Sequence, residues 1–86
     1  MSSKTNPLTR GKKKMARALL QHSQMAEAKS LLEQVCRTDP HDAEAWFMLA
    51  AAHQKLGGFE QAAEAYRRVI ALKPDYADAH YYLGNT

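Results

Sequence analysis

The sequence repeats itself with a period of 34 residues. Pro40 and Pro74 are separated by this distance, and the residues before each proline follow the same order of apolar, small and polar types. A shift by one period superposes Ala16 on Ala50, Ala28 on Ala62 and Val35 on Val69. Units of this length are too small to bury their own apolar faces, so we predict a stacked array of such units. Its working surface should be a shared groove, not an enclosed catalytic pocket.

Size and composition exclude several classes of protein. The chain has 86 residues, of which 45% are apolar and 24% charged, which is typical of one small globular domain. No apolar run reaches the roughly 18 to 20 residues that span a bilayer, and the N-terminal region lacks the apolar stretch of a signal peptide. Cys36, the only cysteine, can form no internal disulfide. We expect a cytoplasmic protein with no transmembrane segment, cofactor or metal.

Charge is distributed unevenly along the chain. Residues 1–26 contain six basic residues and no acidic residue, whereas residues 27–86 contain six basic and nine acidic residues. The net charge of +3 therefore conceals a basic first helix followed by an acidic remainder.

The spacing of apolar residues predicts about five helices, after a disordered lead at residues 1–8. In the first helix we expect Met15, Ala16, Leu19 and Leu20 to form the buried stripe. The predicted helices are about Thr9–His22, Met25–Thr38, Ala43–Leu56, Phe59–Leu72 and a fifth that starts near Ala77. Ser23 and Gln24 interrupt the pattern after the first helix, and Ser23 stands where Gly57 falls one period later. The third helix ends at Gly57 and Gly58, because glycine tolerates the left-handed conformation that a helix exit requires.

Residues 43–76 resemble one tetratricopeptide repeat. Trp46, Leu49, Ala50 and His53 occupy the family's W-x2-L-G-x2-Y positions, and Ala62, Tyr66 and Pro74 supply its A-x3-F and closing proline. The resemblance implies an all-α fold in which antiparallel helical hairpins stack as a right-handed superhelix, an α-solenoid.

The flanking regions resemble less complete copies of the repeat. Residues 9–42 resemble a degenerate copy, with Lys12 where Trp46 falls, and we expect them to cap the array. Residues 77–86 resemble the first helix of a third, truncated copy. Tyr82 and Leu83 should then be open to water, which predicts a longer protein or self-association through this C-terminal helix edge.

The resemblance also implies a site, because the first helix of each hairpin lines a concave groove in tetratricopeptide arrays. The faces left over from the core of helices one, three and five should then bind a protein or peptide, without catalysis. The predicted groove residues are Arg10, Lys13, Arg17, Glu44, Phe47, Ala51, Gln54, Lys55, Asp78, Tyr81 and Asn85.

Within this groove, Phe47 and Tyr81 lie off the core stripe, so we expect them to hold an apolar anchor of the partner. Arg10, Lys13 and Arg17 should attract an acidic flank. Two other interpretations remain open: Phe47 and Tyr81 pack into the seam between repeats, and the basic residues form a solvated face.

Two other function classes also remain open. The basic first helix is an alternative site for nucleic acid or an anionic membrane, although the lack of aromatic residues interleaved with its basic residues argues against nucleic acid. The segment is alternatively the N-terminal array of a longer bacterial enzyme of the glycosyltransferase or sulfotransferase type. No nucleophile motif and no histidine pair with metal-ligand spacing is present, so we expect no catalysis by this segment.

Overall fold

The computed structural model describes residues 7–84, and this part of the chain contains five α-helices and no strand. The helices are α1 (Arg10–Gln21), α2 (Met25–Thr38), α3 (Ala43–Lys55), α4 (Phe59–Leu72) and α5 (Ala77–Gly84). The predicted boundaries of the first four agree with these to within one residue. The expected lead at residues 1–8 lies mostly outside the described residues, as does Asn85.

Each helix packs against the next one along the chain. Helices α1 and α2 form the first hairpin, α3 and α4 form the second, and α2 and α4 contact the helix that follows them. The all-α fold predicted from the repeat is confirmed.

Both hairpins reverse through the same backbone turn. Ser23 and Gly57, one period apart, both have positive φ angles, of 62° and 84° respectively. A backbone hydrogen bond of 2.8 Å closes each turn, from Gln24 N to Leu19 O and from Gly58 N to His53 O. The 34-residue period of the sequence is therefore repeated in the hydrogen bonds of the turns.

The loops between hairpins also repeat a side-chain hydrogen bond. The Trp46 indole Nε1 donates to the Pro40 carbonyl at 2.8 Å, and one period later His80 Nε2 lies 2.7 Å from the Pro74 carbonyl. Because a carbonyl oxygen only accepts, His80 must carry a proton on Nε2. His80 is exposed, and its ring N–H takes the place of the indole N–H of Trp46.

Two apolar clusters form the core, one at each junction between successive repeats, and Trp46 packs against both. Small side chains at Ala50 and Ala62, both 0% exposed, allow the helices of the second hairpin to approach closely. The expectation that Met15 is buried is wrong, because its side chain is 58% exposed. Leu49, its counterpart one period later, packs in the cluster that α2 contributes to, whereas no described helix precedes α1.

We predict opposite effects for the same substitution at two glycines. No atom lies within 4 Å of a Cβ added at either Gly57 or Gly11, so backbone conformation alone decides the outcome. Gly57→Ala should destabilise by about 1 kcal/mol because alanine disfavours positive φ. Gly11→Ala, in α1, should stabilise by up to about 1 kcal/mol. Urea unfolding measures both, and an unchanged or raised stability of Gly57→Ala would contradict the prediction.

Candidate functional site

Ion pairs join the first hairpin to the start of α3. The Lys13 ammonium lies 2.8 Å from Asp42 Oδ2 and 2.8 Å from Glu44 Oε1. Arg17 contacts the other oxygen of Glu44 at 2.7 Å. The Lys13 and Asp42 side chains are only 6% and 7% exposed, so this ionic junction is buried at its centre.

The ionic junction favours the charged forms of Lys13 and Glu44. Burial alone would lower the pKa of Lys13, but hydrogen bonds and charge attraction to Asp42 and Glu44 together outweigh burial and raise that pKa. The hydrogen bond from Lys13 holds the pKa of Glu44 below its usual value. Asp42 also caps α3, because its Oδ1 accepts from Ala45 N at 3.1 Å. One carboxylate thus starts a helix and docks a hairpin.

An aromatic cluster occupies the equivalent place one repeat later. Phe47 and Tyr76 stand one period beyond Lys13 and Asp42, and their rings stack with centroids 5.3 Å apart and planes 23° apart. Tyr66 and Tyr82 complete this aromatic junction, with ring centroids 5.6 and 5.8 Å from that of Phe47. The same seam is therefore ionic in the first junction and aromatic in the second.

A hollow of about 480 Å³ opens beside the aromatic junction. Its lining residues are Phe47, Ala51, Gln54, Lys55, Tyr66 and Tyr82. At its edge, the Tyr66 hydroxyl donates to Gln54 Oε1 at 3.0 Å. Burial raises the pKa of Tyr66 to about 12, so the hydroxyl remains a donor at neutral pH. The hollow thus combines apolar walls with one fixed carboxamide and one lysine.

The comparison with known families decides what kind of protein this is. A sequence model of the tetratricopeptide repeat matches residues 19–83, which is more than half of the chain. The chain belongs to the tetratricopeptide repeat family. No curated protein sequence matches it. Membership in this family, whose members act as protein-interaction scaffolds, gives protein binding as the general function of this tetratricopeptide array.

Four of the predicted groove residues line the hollow: Phe47, Ala51, Gln54 and Lys55. Lys13, Arg17 and Glu44 instead form the ionic junction, where Lys13 is buried and holds two carboxylates. Its charge is therefore paired within the chain, although the sequence predicts that Lys13 attracts an acidic flank of the partner.

The remaining predicted residues lie apart from the hollow or beyond the described chain. Arg10 and Asp78 are exposed. Tyr81 is 66% exposed and contacts Tyr82, with ring centroids 5.3 Å apart. Asn85 lies outside the described residues.

Sequence reasoning missed two walls of the hollow and two partners in the seam. The sequence identifies Tyr66 only as a residue of the repeat motif and Tyr82 only as a side chain open to water, although both line the hollow. Asp42 and Tyr76 were not considered for the site. The period carried a usable signal, since Asp42 and Tyr76 are one repeat apart and each precedes the first helix of a hairpin or third repeat.

Other chemistry has little support among residues 7–84. The Cys36 thiol is 4% exposed, and burial raises its pKa to about 12, so a reactive thiolate is disfavoured. No group of three or more His, Cys, Asp or Glu side chains in the described range is placed to hold a metal ion. None of the five helices combines the length and apolar character needed to cross a membrane.

We predict strong coupling between Lys13 and Asp42. Lys13→Phe leaves the buried Asp42 carboxylate without its cation and should cost about 3 kcal/mol. Asp42→Tyr leaves Lys13 paired with Glu44 alone and removes the cap of α3, and should cost about 2 kcal/mol. The double substitution copies the Phe47 and Tyr76 pair and should be less destabilising than the sum of the two, with a coupling energy of about 2 kcal/mol. Chemical denaturation of the four proteins completes the cycle.

The control for this cycle is Arg17→Gln. Arg17 and Glu44 are 46% and 54% exposed, so loss of their contact should cost less than about 1 kcal/mol. Additive effects of Lys13→Phe and Asp42→Tyr would show that the buried ion pair does not dock the first hairpin.

Proposed function

We propose that this tetratricopeptide array binds a peptide or a partner helix in a concave groove and performs no catalysis of its own. An apolar side chain of the partner enters the hollow between α3 and α5, against Phe47, Ala51 and Tyr82. The observation that carries this proposal is the meeting of four independently predicted groove residues around one hollow of about 480 Å³.

The shape of the hollow supports a side-chain anchor. Ala51 is half-buried, and its small side chain leaves room beside the rings of Phe47 and Tyr82, which contact each other edge to face with centroids 5.8 Å apart. Because Phe47 also packs against Tyr66 and Tyr76, its ring is held before any ligand arrives. A preorganised aromatic wall favours binding, since little side-chain entropy remains to be lost. Seam packing and ligand binding are thus compatible roles for Phe47.

The alternative sites have weaker support. Lys13 and Arg17 are held by Asp42 and Glu44, so fewer cations of α1 are available for nucleic acid or an anionic membrane. Attachment to a longer bacterial enzyme would add a domain and leave the groove proposal unchanged. The buried Cys36 thiol is compatible with a cytoplasmic location, which we retain as part of the proposal.

Filling the hollow should abolish anchor binding. Peptides are selected on the wild-type protein from a random display library and their affinities measured by fluorescence polarisation. Ala51→Leu should weaken them roughly tenfold or more, because the added side chain occupies the space of the anchor. Ala18→Leu, on the exposed part of α1, is the matched control and should leave affinity unchanged.

Selected peptides that bind Ala51→Leu as tightly as wild type would refute the groove. Thermal unfolding of both variants, monitored by circular dichroism, confirms that they are folded.

We also propose that α4 and α5 bind a second copy of the chain. A hollow of about 600 Å³ lies between α4 and Leu83, with Phe59, 57% exposed, on its wall. Glu60, Glu64 and Arg67 line this hollow and together carry one net negative charge, whereas α1 carries exposed Lys12 and Lys14 beside Met15. Opposite charge beside exposed apolar side chains favours contact between α1 of one copy and α4 of another.

Light scattering over a range of concentrations tests the self-association. Wild type should gain mass as concentration rises, whereas Phe59→Ser should remain monomeric. Leu56→Ser, which replaces another exposed apolar residue that does not line this hollow, should behave as wild type. A wild-type monomer at every concentration would exclude the contact.

A further inference from the structure

We infer that the hollow binds an acidic side chain of the partner next to the apolar anchor, and that Gln54 and Lys55 are the residues that recognise it. This inference rests on the proposed function, because it concerns the same hollow, and it specifies which partners are accepted. It also differs from the expectation drawn from the sequence, in which Arg10, Lys13 and Arg17 attract the acidic flank.

Two of the three basic residues that the sequence favoured, Lys13 and Arg17, already form ion pairs, and the third, Arg10, does not line the hollow. Lys13 lies 2.8 Å from oxygens of both Asp42 and Glu44, and Arg17 lies 2.7 Å from Glu44. A partner carboxylate at this place would meet Glu44 and would have to displace it from a junction that docks the first hairpin. Recognition of an acidic partner therefore requires a different cation.

Gln54 presents hydrogen-bond donors to the hollow. The Tyr66 side chain is 1% exposed, and its hydroxyl donates to Gln54 Oε1 at 3.0 Å. Since the carboxamide oxygen is held by Tyr66, the two N–H groups of Nε2 are left for a ligand. A buried tyrosine thus fixes both the position and the polarity of the group that faces the hollow.

Lys55 adds a positive charge beside this carboxamide. It lines the hollow, its side chain is exposed, and the ion pairs found among residues 7–84 do not include it. A charge that retains its freedom until a ligand arrives can form a charge-assisted hydrogen bond with a carboxylate.

Most carbonyls at the end of α3 are already bonded within the backbone. Three of the last four accept backbone N–H groups: Ala52 O from Leu56, Gln54 O from Gly57 and His53 O from Gly58. The Gln54 amide N–H groups and the Lys55 ammonium at this end of the hollow are donors, and they require an acceptor from the ligand.

The spacing of the lining residues limits the ligand further. Ala51, where the anchor docks, and Lys55 are four residues apart on α3, which places them about 6 Å apart along the helix axis. The partner should therefore carry its carboxylate about 6 Å from its apolar anchor. Alternate residues of an extended segment, or residues one turn apart on a helix, have this separation.

Parallel selections from one random peptide library test the inference. The peptides are displayed through their C-termini, so that any carboxylate is that of an Asp or Glu side chain. Wild type should enrich an acidic residue two to four positions from the apolar anchor, and its replacement by the corresponding amide should weaken binding about three- to tenfold. Lys55→Met should retain the anchor preference and lose the acidic one.

Inversion of specificity separates recognition from a structural role of Lys55. Lys55→Glu should select Lys or Arg at the position where wild type selects Asp or Glu. Lys73→Met removes the same charge from the exposed C-terminal end of α4 and should give the wild-type selection. Gln54→Met should keep the anchor and reduce the acidic preference, because it removes the Nε2 donors.

The outcomes distinguish this inference from the proposed function. An apolar anchor without an acidic neighbour, or an acidic neighbour that persists with Lys55→Met, would overturn the inference and leave the groove proposal standing. Peptides that share no apolar anchor would overturn the proposed function itself.

Discussion

The stacking of one hairpin on the next is the constraint on which this structure depends. A two-helix hairpin of this size buries only one apolar face, so stability must come from the junctions between hairpins. In the first junction Lys13, 5% exposed, joins Asp42 and Glu44. Removal of Lys13 would leave the buried Asp42 carboxylate without a cation, and Asp42 also caps α3. Docking of the hairpin and the start of the next helix therefore depend on the same side chain.

Both junctions dock one repeat on the next, the first through ion pairs and the second through aromatic rings. This difference determines where the candidate site lies. In the ionic junction the charges pair with one another, so those of Lys13 and Arg17 are already paired before a partner binds. The aromatic junction buries the ring of Tyr66 and still leaves parts of Phe47 and Tyr82 at the surface. The hollow lies beside the second junction for this reason.

The period in the sequence predicted the fold because each repeat adopts the same backbone conformation. Equivalent turns at Ser23 and Gly57, and equivalent hydrogen bonds from Trp46 and His80, follow when the same unit is built twice. The site was predicted only in part, because register places a side chain on a face but does not tell which neighbour it contacts. Lys13 has the register of a groove residue, yet the nearby carboxylates of Asp42 and Glu44 draw it into the seam.

The buried hydroxyl of Tyr66 connects the core of the array to its recognition surface. A phenylalanine at this position would fill nearly the same volume in the core, and the family's A-x3-F pattern would permit it. The hydroxyl instead holds Gln54 Oε1 at 3.0 Å from inside the seam and orients the carboxamide toward the hollow. Tyr66→Phe would therefore leave packing nearly intact and free Gln54 to rotate. Packing of the seam does not require the Tyr66 hydroxyl. Its role is best explained by the Gln54 carboxamide that it orients at the surface of the hollow.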